Sequence, residues 1–360
     1  MNAYKYFIRP VLFQIDAEKV HNFALRIGSF LGRSYVLRKS LAFFYGYNND
    51  RLYVNIKGIR FRNPVGLAAG FDKNGVITNI LPSIGFGFEE IGSVTAKKCE
   101  GNKKPRLFRL VKDKAIVVNY GLCNDGAEAV FNRLKSKSFE IPIGISIAKT
   151  NDSTIKGSGS IEDYCAAFKV IQSLGNFIVI NISCPNSGDG KSFEDPVLLE
   201  KLLKKLKPKK PMFLKLSADI TQKKLDKIIG LGKKYQITGF VVANLIHDRI
   251  KLKTSKERLS KMKGAVSGPL MKEKSNKLIK YIYKKTKGKF VIIGVGGIFN
   301  AEEAYERIRN GANLVQLLTG MIYEGPGLVK KINKGLVKLL KKDGFNNIQE
   351  AVGADAIGDL

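Results

Sequence analysis

Six consecutive residues, Asn181-Ile182-Ser183-Cys184-Pro185-Asn186, set a thiol among side-chain amides directly after an apolar run, Phe177-Ile178-Val179-Ile180. Such a run reads as a buried strand. Pro185 has no N–H to give to a ladder, so the strand has to end before it. A thiol at a strand's carboxyl end can take up and release a proton near neutral pH, and flanking amides can hold a planar, polar molecule against it. A buried cysteine with two turn asparagines fits the same segment, so the surrounding elements must decide.

Those elements follow a β–α rhythm. Between about residues 64 and 320 the apolar runs are 66–70, 88–94, 142–147, 177–182, 212–216, 239–243, 290–295 and 314–318. Amphipathic helix candidates such as Ile161–Leu174, Pro196–Leu206, Lys223–Lys234 and Ala301–Arg309 lie between them. Eight strands in this order predict an α/β fold, a (β/α)8 or TIM barrel. There the chemistry collects on loops after the strand carboxyl ends. Lys73, Ser93, Asn181, Cys184, Asn186, Lys215, Asn244 and Thr319 punctuate the runs at those ends. A doubly wound sheet would open its first helix with GxGxxG, and none occurs there. Gly294-Val-Gly296-Gly297 and Leu318-Thr319-Gly320 follow the last two strands and read as a phosphate cradle, with Ser267-Gly268 as a further donor.

The chain has 360 residues, 44% of them apolar, enough for a sizeable core. Its 62 Lys+Arg against 31 Asp+Glu give a formal charge of +31, a field that attracts nucleic acid or anionic lipid. The lysines are spread over helix surfaces without aromatic interleaving, so no nucleic-acid partner is expected. Cys99, Cys123, Cys165 and Cys184 show no CxxC spacing, and no cleavable secretory signal is evident, so free thiols are expected. Histidine occurs only at 21 and 247, and no bound metal is expected. No stretch is apolar enough over its length to span a bilayer.

Ahead of the barrel, Tyr4 to Phe13 and Ala17 to Leu31 read as two short helices, the second with Val20, Phe23, Ala24, Ile27 and Leu31 on one stripe. The same segment carries Lys5, Arg9, Lys19, Arg26 and Arg33. It reads either as a cap on the barrel or as a surface-lying membrane element with a tunnel between its helices. The expected division is an N-terminal helical segment, 1–45, and a barrel domain, 46–360.

Over its whole length the chain resembles the dihydroorotate dehydrogenases of the membrane-associated, quinone-linked class (class 2). The stretches that carry the resemblance are Phe13 to His21, Asn63 to Gly75, Glu90 to Thr95, Lys104 to Arg109, Asn181 to Asn186, Ile293 to Ile298 and the tail from Asp343 to Asp355. The resemblance implies an FMN enzyme that oxidises dihydroorotate to orotate, the redox step of de novo pyrimidine (UMP) synthesis. It assigns FMN contacts to Ala69, Gly70, Phe71, Asp72, Lys73, Ser93, Ser146, Asn181, Lys215, Ala243, Gly268, Gly297, Leu318 and Thr319. Substrate contacts fall on Lys73, Asn119, Gly121, Leu122, Asn181, Asn186, Asn244 and Leu245. Cys184 would take the C5 proton of dihydroorotate while C6 delivers hydride to flavin N5. A membrane quinone would enter between the N-terminal helices and meet His21 and Arg109. The implied protein is a monomer, bound peripherally to the cytoplasmic side of a bacterial inner membrane.

The chemistry of the residues agrees with these assignments. A product with a carboxylate and imide oxygens calls for a cation and several amide donors. Lys215, inside an apolar run, is costly unless paired. The chain also departs from the class. Cys184 stands where Ser is usual, as in the soluble class 1 enzymes, and the segment from Asn119 to Gly126 is one residue short. Ser93, Ser146 and Ala243 stand where Thr, Asn and Thr are common. Two rivals share features with this reading. A class 1 enzyme using fumarate or NAD would share the barrel and the cysteine, and a tRNA dihydrouridine synthase would share FMN and suit the charge.

Overall fold

The computed structural model describes residues 3–183 and 192–357. A π-helical turn (Tyr4–Ile8) leads into α1 (Arg9–Leu12), α2 (Ala17–Arg33) and α3 (Tyr35–Tyr45). The Asp16 carboxylate accepts the Lys19 N–H at 2.9 Å and starts α2. Ser34 does the same for α3 through Leu37 at 3.3 Å. The N-terminal segment thus holds a third helix beyond the two read from sequence. The α3 pattern was obscured because most of its large apolar residues stay exposed.

The strands then run β1 (Val54–Ile56), β2 (Ile59–Phe61), β3 (Val65–Leu67), β4 (Phe88–Val94), β5 (Leu107–Leu110), β6 (Ala115–Val118), β7 (Ile143–Ile147), β8 (Phe177–Asn181), β9 (Met212–Leu216), β10 (Gly239–Val242), β11 (Ala265–Ser267), β12 (Val291–Val295) and β13 (Leu314–Leu317). Eight of them, β3, β4, β7, β8, β9, β10, β12 and β13, close a parallel barrel in that order. These are the eight runs read from the sequence. Interleaved helices include α4 (Ala127–Leu134), α5 (Ser158–Ile171), α6 (Pro196–Lys205), α7 (Gln222–Lys234), α8 (Lys256–Ser260), α9 (Met271–Thr286), α10 (Ala301–Arg309), α11 (Thr319–Glu324), α12 (Leu328–Lys342) and α13 (Ala354–Ile357). The sequence reading missed the antiparallel sheet β5–β6–β11, which carries Arg109 and ends beside Asn119.

Aromatic packing closes the amino-terminal end of the barrel. Phe61, from the β1–β2 hairpin, meets Phe88 and Phe177 at ring distances of 5.5 and 6.4 Å, and Phe213 lies 5.5 Å from Phe177. Gly66 and Gly144 are required beside them. A Cβ at either position would lie 2.4 Å from Phe88 or 2.2 Å from Phe177. The fill at this end leaves the carboxyl end for chemistry.

Side chains alternate along a strand, so adjacent Glu89 and Glu90 face opposite ways. Glu90 points inward and is paired. Glu89 is fully buried, and among the described residues neither of its carboxyl oxygens has a hydrogen-bond partner. Burial, and then the neighbouring Asp72, push its pKa well above the usual carboxylate range. Between the ordinary value and that raised one, the folded state holds one more proton than the unfolded state. Stability therefore falls as pH rises through that interval. Glu89→Leu should remove this slope, by about 1.4 kcal/mol for each unit of displacement. Thermal melts should show the variant gaining more at pH 8 than at pH 5; equal gains at both would refute a neutral buried acid.

Candidate active site

The carboxyl ends of the strands open into a cavity of about 680 Å³ that continues outward between α1, α2 and α3. Its inner wall is polar: Lys73, Ser93, Asn181, Ser183, Lys215, Asn244 and Ser267. Its outer wall is apolar, with Val20, Phe23, Ala24, Ile27 and Leu31 of α2, Leu41 of α3, and Ile8 and Leu12 before them. The stripe read on α2 is therefore the lining of a passage.

Lys215 is buried at the base of this space, and its ammonium meets Glu90 of β4 at 3.2 Å. The other oxygen of Glu90 accepts from Gln316 of β13 at 2.7 Å. This pairing is what a cation inside a barrel requires. Register places Lys215 directly beside Asn181.

A line of hydrogen bonds crosses the mouth of four strands. Asn244 Nδ2 donates to Ser183 Oγ at 2.8 Å, and Ser183 Oγ donates to Asn181 Oδ1 at 2.9 Å. Asn181 Nδ2 donates to Ser93 Oγ at 2.8 Å, and Ser93 and Ser146 hydroxyls meet at 2.9 Å. Ser146 thus acts behind the wall, through Ser93. The sequence reading passed over Ser183 and Glu90, although both had a signal. Ser183 lies within the polar strand end, and Glu90 is a charge in a strand that needs a counter-ion.

Lys73 sits where polar and apolar walls meet. Its Nζ lies 3.3 Å from His21 Nε2 and 3.8 Å from the centre of the Tyr120 ring. An ammonium only donates, so Nε2 accepts and the His21 proton rests on Nδ1. Burial lowers the Lys73 pKa to about 8. Burial, and then Lys73, lower that of His21 to about 3, so the imidazole is neutral. Arg109 donates to the Ile15 carbonyl at 2.7 Å and lies 4.7 Å from the Phe13 ring centre, fixed by the turn before α2.

The other expected contacts divide. Ala69, Gly70, Phe71, Asn119, Gly121, Leu122, Leu245 and Leu318 line the cavity. Asp72 does not: its carboxylate is taken up by the N–H groups of Asn74, Val76 and Ile77 at 2.7–3.2 Å. It shapes the turn carrying Lys73. Ala243, Gly268, Gly297 and Thr319 stand behind the lining, with Thr319 bonded to Ser267 at 2.8 Å. The last two barrel loops do converge, since a Cβ on Gly320 would lie 2.1 Å from the Ile298 carbonyl. Cys184 and Asn186 lie outside the described residues. Among the described residues no cluster of metal-ligating side chains occurs.

The chain has counterparts among known proteins. The family model described as dihydroorotate dehydrogenase matches residues 51–340. The chain belongs to the dihydroorotate dehydrogenase family. Curated relatives named dihydroorotate dehydrogenase (quinone) include that of Trichodesmium erythraeum, 36% identical over 98% of this chain and 99% of its own. Another, from Nostoc punctiforme, is 38% identical over 99% of each. The crystal structure of DHODH from Eimeria tenella in complex with ferulenol superposes with a TM-score of 0.82, at 29% identity, covering 95% of this chain and 96% of that one. The family is flavin-dependent, and the donor set at the barrel mouth fits such a group: a buried cation, side-chain amides and hydroxyls.

Ser183→Ala should uncouple Asn181 from Asn244. With two hydrogen bonds removed, we expect the KM for dihydroorotate to rise about 5- to 30-fold in steady-state assays. An unchanged KM would leave Ser183 without a role in holding the amides.

Proposed function

We propose that this chain oxidises dihydroorotate to orotate, with FMN as its resident cofactor and a membrane quinone as final acceptor, the redox step of pyrimidine synthesis. One observation carries the reading: a single cavity joins a polar barrel mouth to an apolar passage between the N-terminal helices. Relatives named for the quinone reaction share nearly the full length. The loops that carry Gly268, Gly297 and Thr319 would hold the FMN phosphate, and Lys215, Asn181 and Ser93 suit the polar edge of its ring. When bound, FMN supplies a two-electron acceptor.

The residues of the chain do the rest. Lys73, protonated at neutral pH, receives the substrate carboxylate. Asn181, Asn244 and Asn186 hold the imide edge and steady the enolate-like charge that develops. Cys184 takes the C5 proton on its sulfur while hydride leaves C6, so one C=C bond forms as two C–H bonds break. A thiol, with a pKa of about 8.5, needs less activation for this than a hydroxyl. At the outer end, the fixed Arg109 guanidinium polarises a quinone carbonyl, and neutral His21 offers its Nδ1 proton.

Residues 1–45 form the membrane and quinone segment, and 46–360 the catalytic barrel. Among the described residues, thirteen of the sixteen exposed large apolar side chains lie between Tyr6 and Phe44. No helix among them is long and apolar enough to cross a membrane. Basic residues Arg26, Arg33 and Lys39 accompany them, which suits adsorption to an anionic leaflet. In this reading the enzyme lies peripherally, on the cytoplasmic face of the inner membrane.

Cys184→Ala should keep the flavin absorbance but lower turnover at least a hundredfold, the range for loss of a general base. An active variant would remove that assignment. Deleting residues 1–45 should abolish quinone reduction, while dihydroorotate at saturating concentration still bleaches the flavin. Quinone turnover that survives the truncation would point to a soluble acceptor instead.

A further inference from the structure

Lys73 belongs to a closed ring of contacts that begins and ends on α2. Glu18, in the first turn of that helix, is buried and accepts from Arg106 Nη2 at 2.8 Å and from Nε at 3.2 and 3.3 Å. Arg106 is itself buried and donates to the carbonyls of Glu100 and Asn102 at 2.6 and 3.0 Å, which fixes its plane. Its guanidinium carbon lies 5.2 Å from the Tyr120 ring centre. The same ring holds the Lys73 ammonium at 3.8 Å, and Lys73 returns to His21 of α2 at 3.3 Å. Glu18 and His21 are three residues apart and so share one helix face.

Tyr120 contributes an aromatic face here and not a hydrogen bond, since among the described residues its buried hydroxyl has no partner. A ring quadrupole attracts cations placed over it, most strongly away from water. Two cations that would repel each other are thereby accommodated at one ring, and Glu18 neutralises the outer one. Without the ring, the Lys73 stem is free to swing away from the cavity.

We propose that Tyr120 is a positioning residue for Lys73, and that the Glu18–Arg106 pair makes substrate affinity in the barrel depend on the seating of α2. The inference rests on the reading that Lys73 receives the substrate carboxylate. It gives the N-terminal segment a second task besides admitting the acceptor: the substrate side is fully assembled only when the helix is docked.

The test uses the full-length holoenzyme, with orotate binding followed by flavin absorbance and dihydroorotate kinetics run with a soluble dye as acceptor. Tyr120→Leu should raise the orotate Kd and the dihydroorotate KM about 3- to 30-fold, with kcat at saturation reduced far less. Tyr120→Phe, which keeps the ring, should bring both back to within about twofold of the native values. Glu18→Gln, remote from the flavin recess, should raise the KM in the same sense and serves if Tyr120→Leu fails to fold. In the double variant the two effects should multiply to less than their product, because both act through one path. Equal KM values for Tyr120→Leu and Tyr120→Phe, or fully independent effects, would overturn the proposal. Native protein that neither bleaches with dihydroorotate nor binds orotate would overturn the underlying reading instead.

Discussion

A charge placed inside a parallel barrel must be neutralised where it stands, and the Lys215–Glu90 pair meets that demand. Lys215 is the one charged residue of β9, and both groups are buried. Removing one partner from such a pair leaves an uncompensated charge, which is far costlier than the pair itself is worth. Gln316 occupies the second carboxylate oxygen, so three strands are fixed to one another through a polar layer above the phenylalanine plug. The cation at the floor of the cavity is therefore rigid. The hydrogen-bonded line from Asn244 to Ser146 then fixes the orientation of the amides around it. Preorganised donors of this kind do not have to reorient as charge develops.

The N-terminal helices work under the opposite constraint. Helix α2 presents apolar residues to the cavity on one side and leaves Phe30 exposed as well. A helix so apolar outside a core requires another apolar phase or a partner to cover it. Its polar anchor to the barrel is concentrated in the first turn, where Glu18 reaches Arg106 and His21 reaches Lys73. Gly28 and Gly32 allow the rest of the helix to lie close against Ile77 and Ile80. One helix thus joins a greasy passage to a charged site, with the boundary at Lys73.

Much of this was legible before any coordinates. Parallel strands buried on both faces have to read as short continuous apolar runs, and the eight barrel strands did. Lys73, Ser93, Asn181, Lys215 and Asn244 at their ends came together in one cavity because a closed barrel brings all carboxyl ends to one rim. The part played by the Asp72 carboxylate was not legible in the sequence, for a physical reason. A carboxylate beside a catalytic lysine looks like a ligand, but a tight turn with unpaired N–H groups claims it first.

The sequence by itself determined the β–α order, the polar residues at the strand ends, and the amphipathic stripe on α2. These depend on local periodicity and on which side chains a strand or helix can bury. Only the tertiary structure decided which of two adjacent glutamates faces Lys215, which hydroxyl bridges the amides, and that Glu18 meets Arg106 across 88 positions of chain. Pairings of that kind arise from register and from helix docking. Neither leaves a trace in local composition, because the partners are brought together by the closure of the barrel and not by their spacing.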